Sequence, residues 1–156
     1  MVHRPSRAQE RPDAMPLSTP VTIKEADLVD SVADALQFIS YFHPMDYIHA
    51  LGEAYEAEQG PAAKDAIAQI LTNSRMCAEG HRPICQDTGI VTVFIKWGQD
   101  CILESKRSLQ EVVDDGVRKA YLLPENKLRA SIVADPAFTR VNTRDNTPCV
   151  LNVEMV

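Results

Sequence analysis

The sequence predicts a mixed α+β fold, with N-terminal helices followed by a sheet that carries a further helix, in an incomplete domain. Three observations point to it. Apolar residues recur at helical spacing between Thr22 and Gly80, the run IVTVFIKW at 90–97 is β-branched and aromatic, and residues 149–155 alternate apolar with polar.

The first helix is expected from Thr22, because Thr22-Ile23-Lys24-Glu25 has capping-box spacing and Leu28, Val32, Ala35, Leu36 and Ile39 follow on one face. It should stop at His43, since the residue before a proline is pushed out of the helical region. Pro44 is suited to open a second helix, with Ile48, Leu51 and Tyr55 facing inward. Gly60-Pro61 breaks the chain, and Ala63, Ile67, Ile70, Leu71 and Ser74 mark a third helix ending near Gly80.

A buried strand is predicted at 90–97. Ser108 and Glu111 repeat the capping-box spacing ahead of a fourth helix bearing Leu109, Val112, Val113, Gly116 and Ala120, which Pro124 ends. A second strand is expected in LRASIVA (128–134), then a polar loop VNTRDNTP, then a last strand with Cys149, Leu151, Val153 and Met155 on one face. That pattern stops at Val156 in mid-strand, hence the incomplete domain, with apolar surface left exposed. Residues 1–21, rich in proline and arginine, are read as a disordered extension, and residues 22–156 as the folded part.

A formal net charge of -6 disfavours a nucleic-acid partner, which needs clustered Lys and Arg. No stretch approaches the ~20 apolar residues of a membrane span. Four cysteines without a secretory signal suggest reduced thiols or a metal role rather than a disulfide framework, and a cytoplasmic location.

The chemistry-bearing residues crowd into CAEGHRPICQDTG, residues 77–89, between a helix and a strand. A Cys85 thiolate would be a soft ligand for iron-sulfur chemistry or zinc, although a free cysteine is as often a small buried apolar group. Cys77, His81 and Cys85 are spaced four apart, as zinc ligands on one helix would be, but Gly80 and Pro83 interrupt that helix.

The run NSRMCAEGHRPICQDTGIVTVFIKWG, followed in order by NKLRASIVADP and NTRDNTP, resembles the N-terminal part of the catalytic region of class I fumarate hydratases. The resemblance covers roughly residues 22–156. It implies a hydro-lyase of the tricarboxylic acid cycle that hydrates fumarate to (S)-malate with a 4Fe-4S cluster held by three cysteines. Cys85 matches the first of those ligands, Gln86 and Asp87 resemble substrate-orienting residues, and Arg129 resembles the carboxylate-binding arginine. A planar guanidinium grips a carboxylate with two hydrogen bonds; the bland alternative for Arg129 is a structural ion pair.

The resemblance places the other two cluster cysteines and the proton-abstracting base outside these residues. No catalytic residue, no bound cluster and no activity are therefore expected of this stretch alone. Its partners would be a small dicarboxylate and, in the complete enzyme, a second copy in a homodimer. L-Tartrate dehydratase, which shares the cluster chemistry, and a non-catalytic zinc-binding interaction module are the competing readings. Asn142, Thr143, Asp145, Asn146 and Thr147 read as turn formers, and Cys77, Cys101 and Cys149 as buried or incidental thiols.

Overall fold

The computed structural model describes residues 19–84, 89–126 and 128–156. Most of the expected N-terminal extension lies outside the described residues. Strand β1 spans Val21–Lys24, and helices α1 (Glu25–Tyr41), α2 (Met45–Ala57) and α3 (Pro61–Gly80) follow. Then come β2 (Thr92–Trp97), β3 (Cys101–Glu104), α4 (Leu109–Leu122), a 3-10 turn at Pro124–Asn126 and β4 (Val150–Met155). The fold is mixed α+β as predicted, but its strands form two separate parallel pairs, β1 with β3 and β2 with β4.

The core lies between α1, α4 and the entrances to β2 and β4. Val112, Val113 and Val117 of α4 are fully buried, and Ala33, Val91, Ala120, Tyr121 and Cys149 form one core cluster with Val113 and Val117. Each buried valine contributes about 1.5–3 kcal/mol of apolar transfer free energy. Gly116 allows the two helices to approach: a Cβ there would lie 2.6 Å from the Val32 Cβ and 2.9 Å from the Val29 carbonyl oxygen. Gln37 crosses the same interface and donates to the Ala120 carbonyl at 2.7 Å.

The Ser108 capping box forms as read, with the Ser108 side chain accepting from the Glu111 amide and the Glu111 carboxylate accepting from the Ser108 amide. The one expected at Thr22 does not. Thr22 and Ile23 instead pair with Ile102 and Leu103 in a parallel ladder, and α1 starts from Lys24 without a side-chain cap. Strand pairing satisfies more backbone groups than one cap would, so it decides the local conformation. The helix breaks at Pro44 and Gly60-Pro61 fall as expected, and Ile48, Leu51 and Tyr55 are the half-buried residues of α2 together with Gly52.

LRASIVA is not a strand. Its one ladder contact is an isolated antiparallel bridge between Val133 and Asn142. Side-chain amides from the following polar loop take the backbone groups that a strand neighbour would have paired. The strand predicted to be buried at 90–97 is half-buried on one face only: β2 alternates, with Phe94 79% exposed on its outer face, and Ile90 as well as Phe38 and Ile39 of α1 also face solvent.

Candidate active site

Both flanks of the cysteine loop are anchored. On the entry side Ile84 is buried and its N–H donates to the Ser40 carbonyl at the end of α1, at 2.8 Å. On the exit side the Gly89 carbonyl accepts from the Asn146 side-chain amide at 3.2 Å, and Val91 joins the core. Cys85, Gln86 and Asp87, the proposed metal and substrate residues of this loop, lie outside the described residues.

Ser40, Gly89, Ile90 and Leu128 border an open cleft of about 260 Å³ together with Leu36, Ile39, Val91 and Thr92. Arg129 follows Leu128 in sequence and is exposed. Among the described residues no hydrogen bond or ion pair engages its guanidinium, so the structural ion pair finds no support. A guanidinium left without an acid keeps its forked donors available to an anion.

The segment bearing Arg129 is laced to the NTRDNTP loop. Asn142 donates to the Ala130 carbonyl at 2.9 Å, and Thr143 N–H donates to the Ile132 carbonyl at 3.1 Å. Asn146 accepts through Oδ1 from the Ser131 and Ile132 amides, at 2.8 and 3.2 Å. Asn142 and Asp145 also make the turns expected of them, accepting from the amides two residues ahead, Arg144 and Thr147. Thr143 Oγ1 is buried without a hydrogen-bond partner among the described residues.

An ionic chain supports this loop from behind. Arg118 of α4 donates to Asp145 at 2.9 Å and contacts Asp115, which Arg107 also engages, and Arg107 reaches Glu25 at the start of α1. Burial by itself would raise the Asp145 carboxyl, but the Thr147 hydrogen bonds and the Arg118 guanidinium outweigh it and hold the group below its usual range. The Asp115 carboxyl is lowered chiefly by its hydrogen bond from Arg107.

Two of the three described thiols are buried. Cys77 is buried and its thiol donates to the Pro83 carbonyl at 3.6 Å. Burial pushes the Cys149 thiol up to about 11, with Asp114 adding to the effect, so it is no thiolate at neutral pH. Among the described residues no group of three His, Cys, Asp or Glu side chains could hold a metal ion. His81 caps α3 in the left-handed region with its ring stacked on Tyr41 at 4.9 Å, while His43 shares a 3.0 Å hydrogen bond with Ser74.

The residue that sequence reasoning undervalued is Asn146, which is fully buried and has a left-handed backbone at φ 60°. Asparagine tolerates that conformation, but so it does in ordinary turns, and nothing in the string NTRDNTP separates Asn146 from its exposed neighbour Asn142.

The family itself is shown by comparison with known proteins. The family model described as Fumarate hydratase (Fumerase) matches residues 29–156, and the chain belongs to that family. Among curated relatives, "Putative L(+)-tartrate dehydratase subunit alpha" of Methanocaldococcus jannaschii is 32% identical over 117 residues, 75% of this chain and 40% of that protein. The L(+)-tartrate dehydratase subunit alpha of Escherichia coli strain K12 is 28% identical over 123 residues, 79% of this chain and 40% of that one. The chain thus spans about 40% of the length of these relatives.

Proposed function

We propose that this chain is part of an iron-sulfur hydro-lyase that reversibly hydrates fumarate to (S)-malate. The observation that carries the reading is the Arg129 guanidinium, exposed and without an ion pair among the described residues, beside a cleft bordered by Gly89 at the exit of PICQDTG. Arg129 binds one substrate carboxylate through paired N–H donors, and Gln86 and Asp87 orient the substrate. Cys85 is the cluster ligand. When bound, a four-iron, four-sulfur cluster supplies an open iron as Lewis acid toward a substrate oxygen.

Tartrate is the second reading, favoured by the names of both relatives. Fumarate-derived malate and tartrate differ by one hydroxyl, which a few polar groups in a pocket can discriminate. The designation "subunit alpha" in those names supports a second polypeptide as partner, alongside the homodimer that the sequence reading expected. Among the described residues no helix is long and apolar enough to cross a membrane. A cytoplasmic location accords with the reduced thiols.

The test is an assay of the complete gene product, reconstituted with iron and sulfide in the absence of oxygen, on fumarate, (S)-malate and L-tartrate. Turnover of at least one is expected, together with a broad visible absorbance that Cys85→Ser removes. Arg129→Lys should lower kcat/KM by about ten- to a hundredfold, because an ammonium cannot reproduce the forked grip. No turnover of any of the three acids would sink the reading.

A further inference from the structure

Asn146 uses both ends of its side-chain amide on two different stretches of chain. Its oxygen receives the Ser131 and Ile132 amides, two and three residues beyond Arg129, and its nitrogen donates to the Gly89 carbonyl. The group is 0% exposed, and Tyr121 of α4 shares a further side-chain hydrogen bond with it. A primary amide accepts two hydrogen bonds at its oxygen and donates from a separate nitrogen, so it can bridge two stretches of backbone. Because it is out of contact with solvent, no water can replace a lost partner.

The consequence is a fixed register between Arg129 and the exit of the cysteine loop. Neither stretch belongs to a strand or helix: Asn142 and the backbone of Val141 and Thr143 tie residues 130–134 to the polar loop, Gly89 precedes β2, and Asn146 is the residue of that loop that also reaches Gly89. We propose that Asn146 is a positioning residue for dicarboxylate binding, setting the distance between the Arg129 guanidinium and the Gly89 end of the loop without touching the ligand. The proposal rests on the reading of Arg129 as a carboxylate-binding group.

Asn146→Asp is the sharpest variant. It keeps the size, the tolerance of φ 60° and the acceptor for Ser131 and Ile132, but a carboxylate cannot donate to the Gly89 carbonyl. The probe is succinate, a dicarboxylate with neither the double bond nor the hydroxyl of the reactants, titrated calorimetrically into the full-length protein. Asn146→Asp should weaken succinate binding about tenfold. In an Arg129→Ala background the same change should have almost no effect, since a residue acting through Arg129 has nothing left to position.

Full additivity of the two substitutions, or unchanged succinate affinity in Asn146→Asp, overturns the proposal. A second measurement serves if Asn146→Asp fails to fold. In the wild-type protein, saturating succinate should slow hydrogen exchange at the Ser131 and Ile132 amides, whose release requires letting go of Asn146; exchange indifferent to succinate overturns the proposal as well. Coupled succinate binding without turnover of fumarate, malate or tartrate would leave the positioning role standing and remove the hydro-lyase reading alone. Failure of the wild-type protein to bind succinate would remove both.

Discussion

Cys149 shows how completely one position can be committed to structure. Its N–H donates to Asp114 at 2.8 Å, Gln110 donates to both its carbonyl and its sulfur, and its thiol is held protonated up to about 11. The folded state keeps a proton there that the unfolded chain releases near pH 8.5, so this stabilisation is complete below that value and declines as pH climbs toward 11. Unfolding in urea at pH 8 and pH 10.5 should show a loss on the order of 2 kcal/mol, flattened in Cys149→Ala. Iodoacetamide at pH 8 should modify Cys101, which is half-buried, well before Cys149. Such distinctions were invisible in the sequence, where the thiols differ only in their neighbours. The same holds for Asn146 against Asn142: two asparagines four apart in one loop acquire different roles only because one turns inward. What the sequence did bring together is two neighbours of its motifs: Gly89, at the end of PICQDTG, and Leu128, at the start of LRAS, line one cleft.

At the scale of elements, α1 and α4 meet through Gly116, and the sequence reading placed that glycine on the inner face of the helix it belongs to. Gly116→Ala gains about 1 kcal/mol of intrinsic helix propensity, yet its methyl would collide with Val32 and with the backbone oxygen of Val29. Because backbone cannot step aside as a flexible side chain can, overpacking should win. A net loss of about 1–3 kcal/mol is expected, read as a lower urea midpoint with an unchanged slope. The helices were readable because their 3.6-residue periodicity and punctuation by Pro44, Gly60-Pro61 and Pro124 are local signals. The strands were less so. Four residues of β3, Cys101–Glu104, carry too short an alternation to announce themselves, and β1 wore a capping-box disguise that its distant partner overrode. LRASIVA failed in the opposite direction, a good strand composition whose neighbour is a loop of side-chain amides.

Across the whole molecule, the chain of ion pairs from Glu25 through Arg107, Asp115 and Arg118 to Asp145 fastens the first helix, α4 and the loop behind the candidate site to one another. Asp115 and Asp145 both have carboxyls held below their usual range, so their contribution is present above about pH 4 and is lost as pH falls through their lowered values. Acid unfolding followed by circular dichroism should therefore begin at higher pH in Arg118→Ala than in the wild-type protein. Added salt should narrow the difference, because these groups are part-exposed and screened. The parallel ladders have a consequence in time as well as in space. Val21 pairs with Cys101, so during synthesis the first strand must wait for some eighty further residues before its partner exists. At ribosomal speeds that interval is on the order of ten seconds. Throughout it the segment VTIK lacks the partner that satisfies its backbone in the finished fold, which leaves it an open strand edge until β3 has been made.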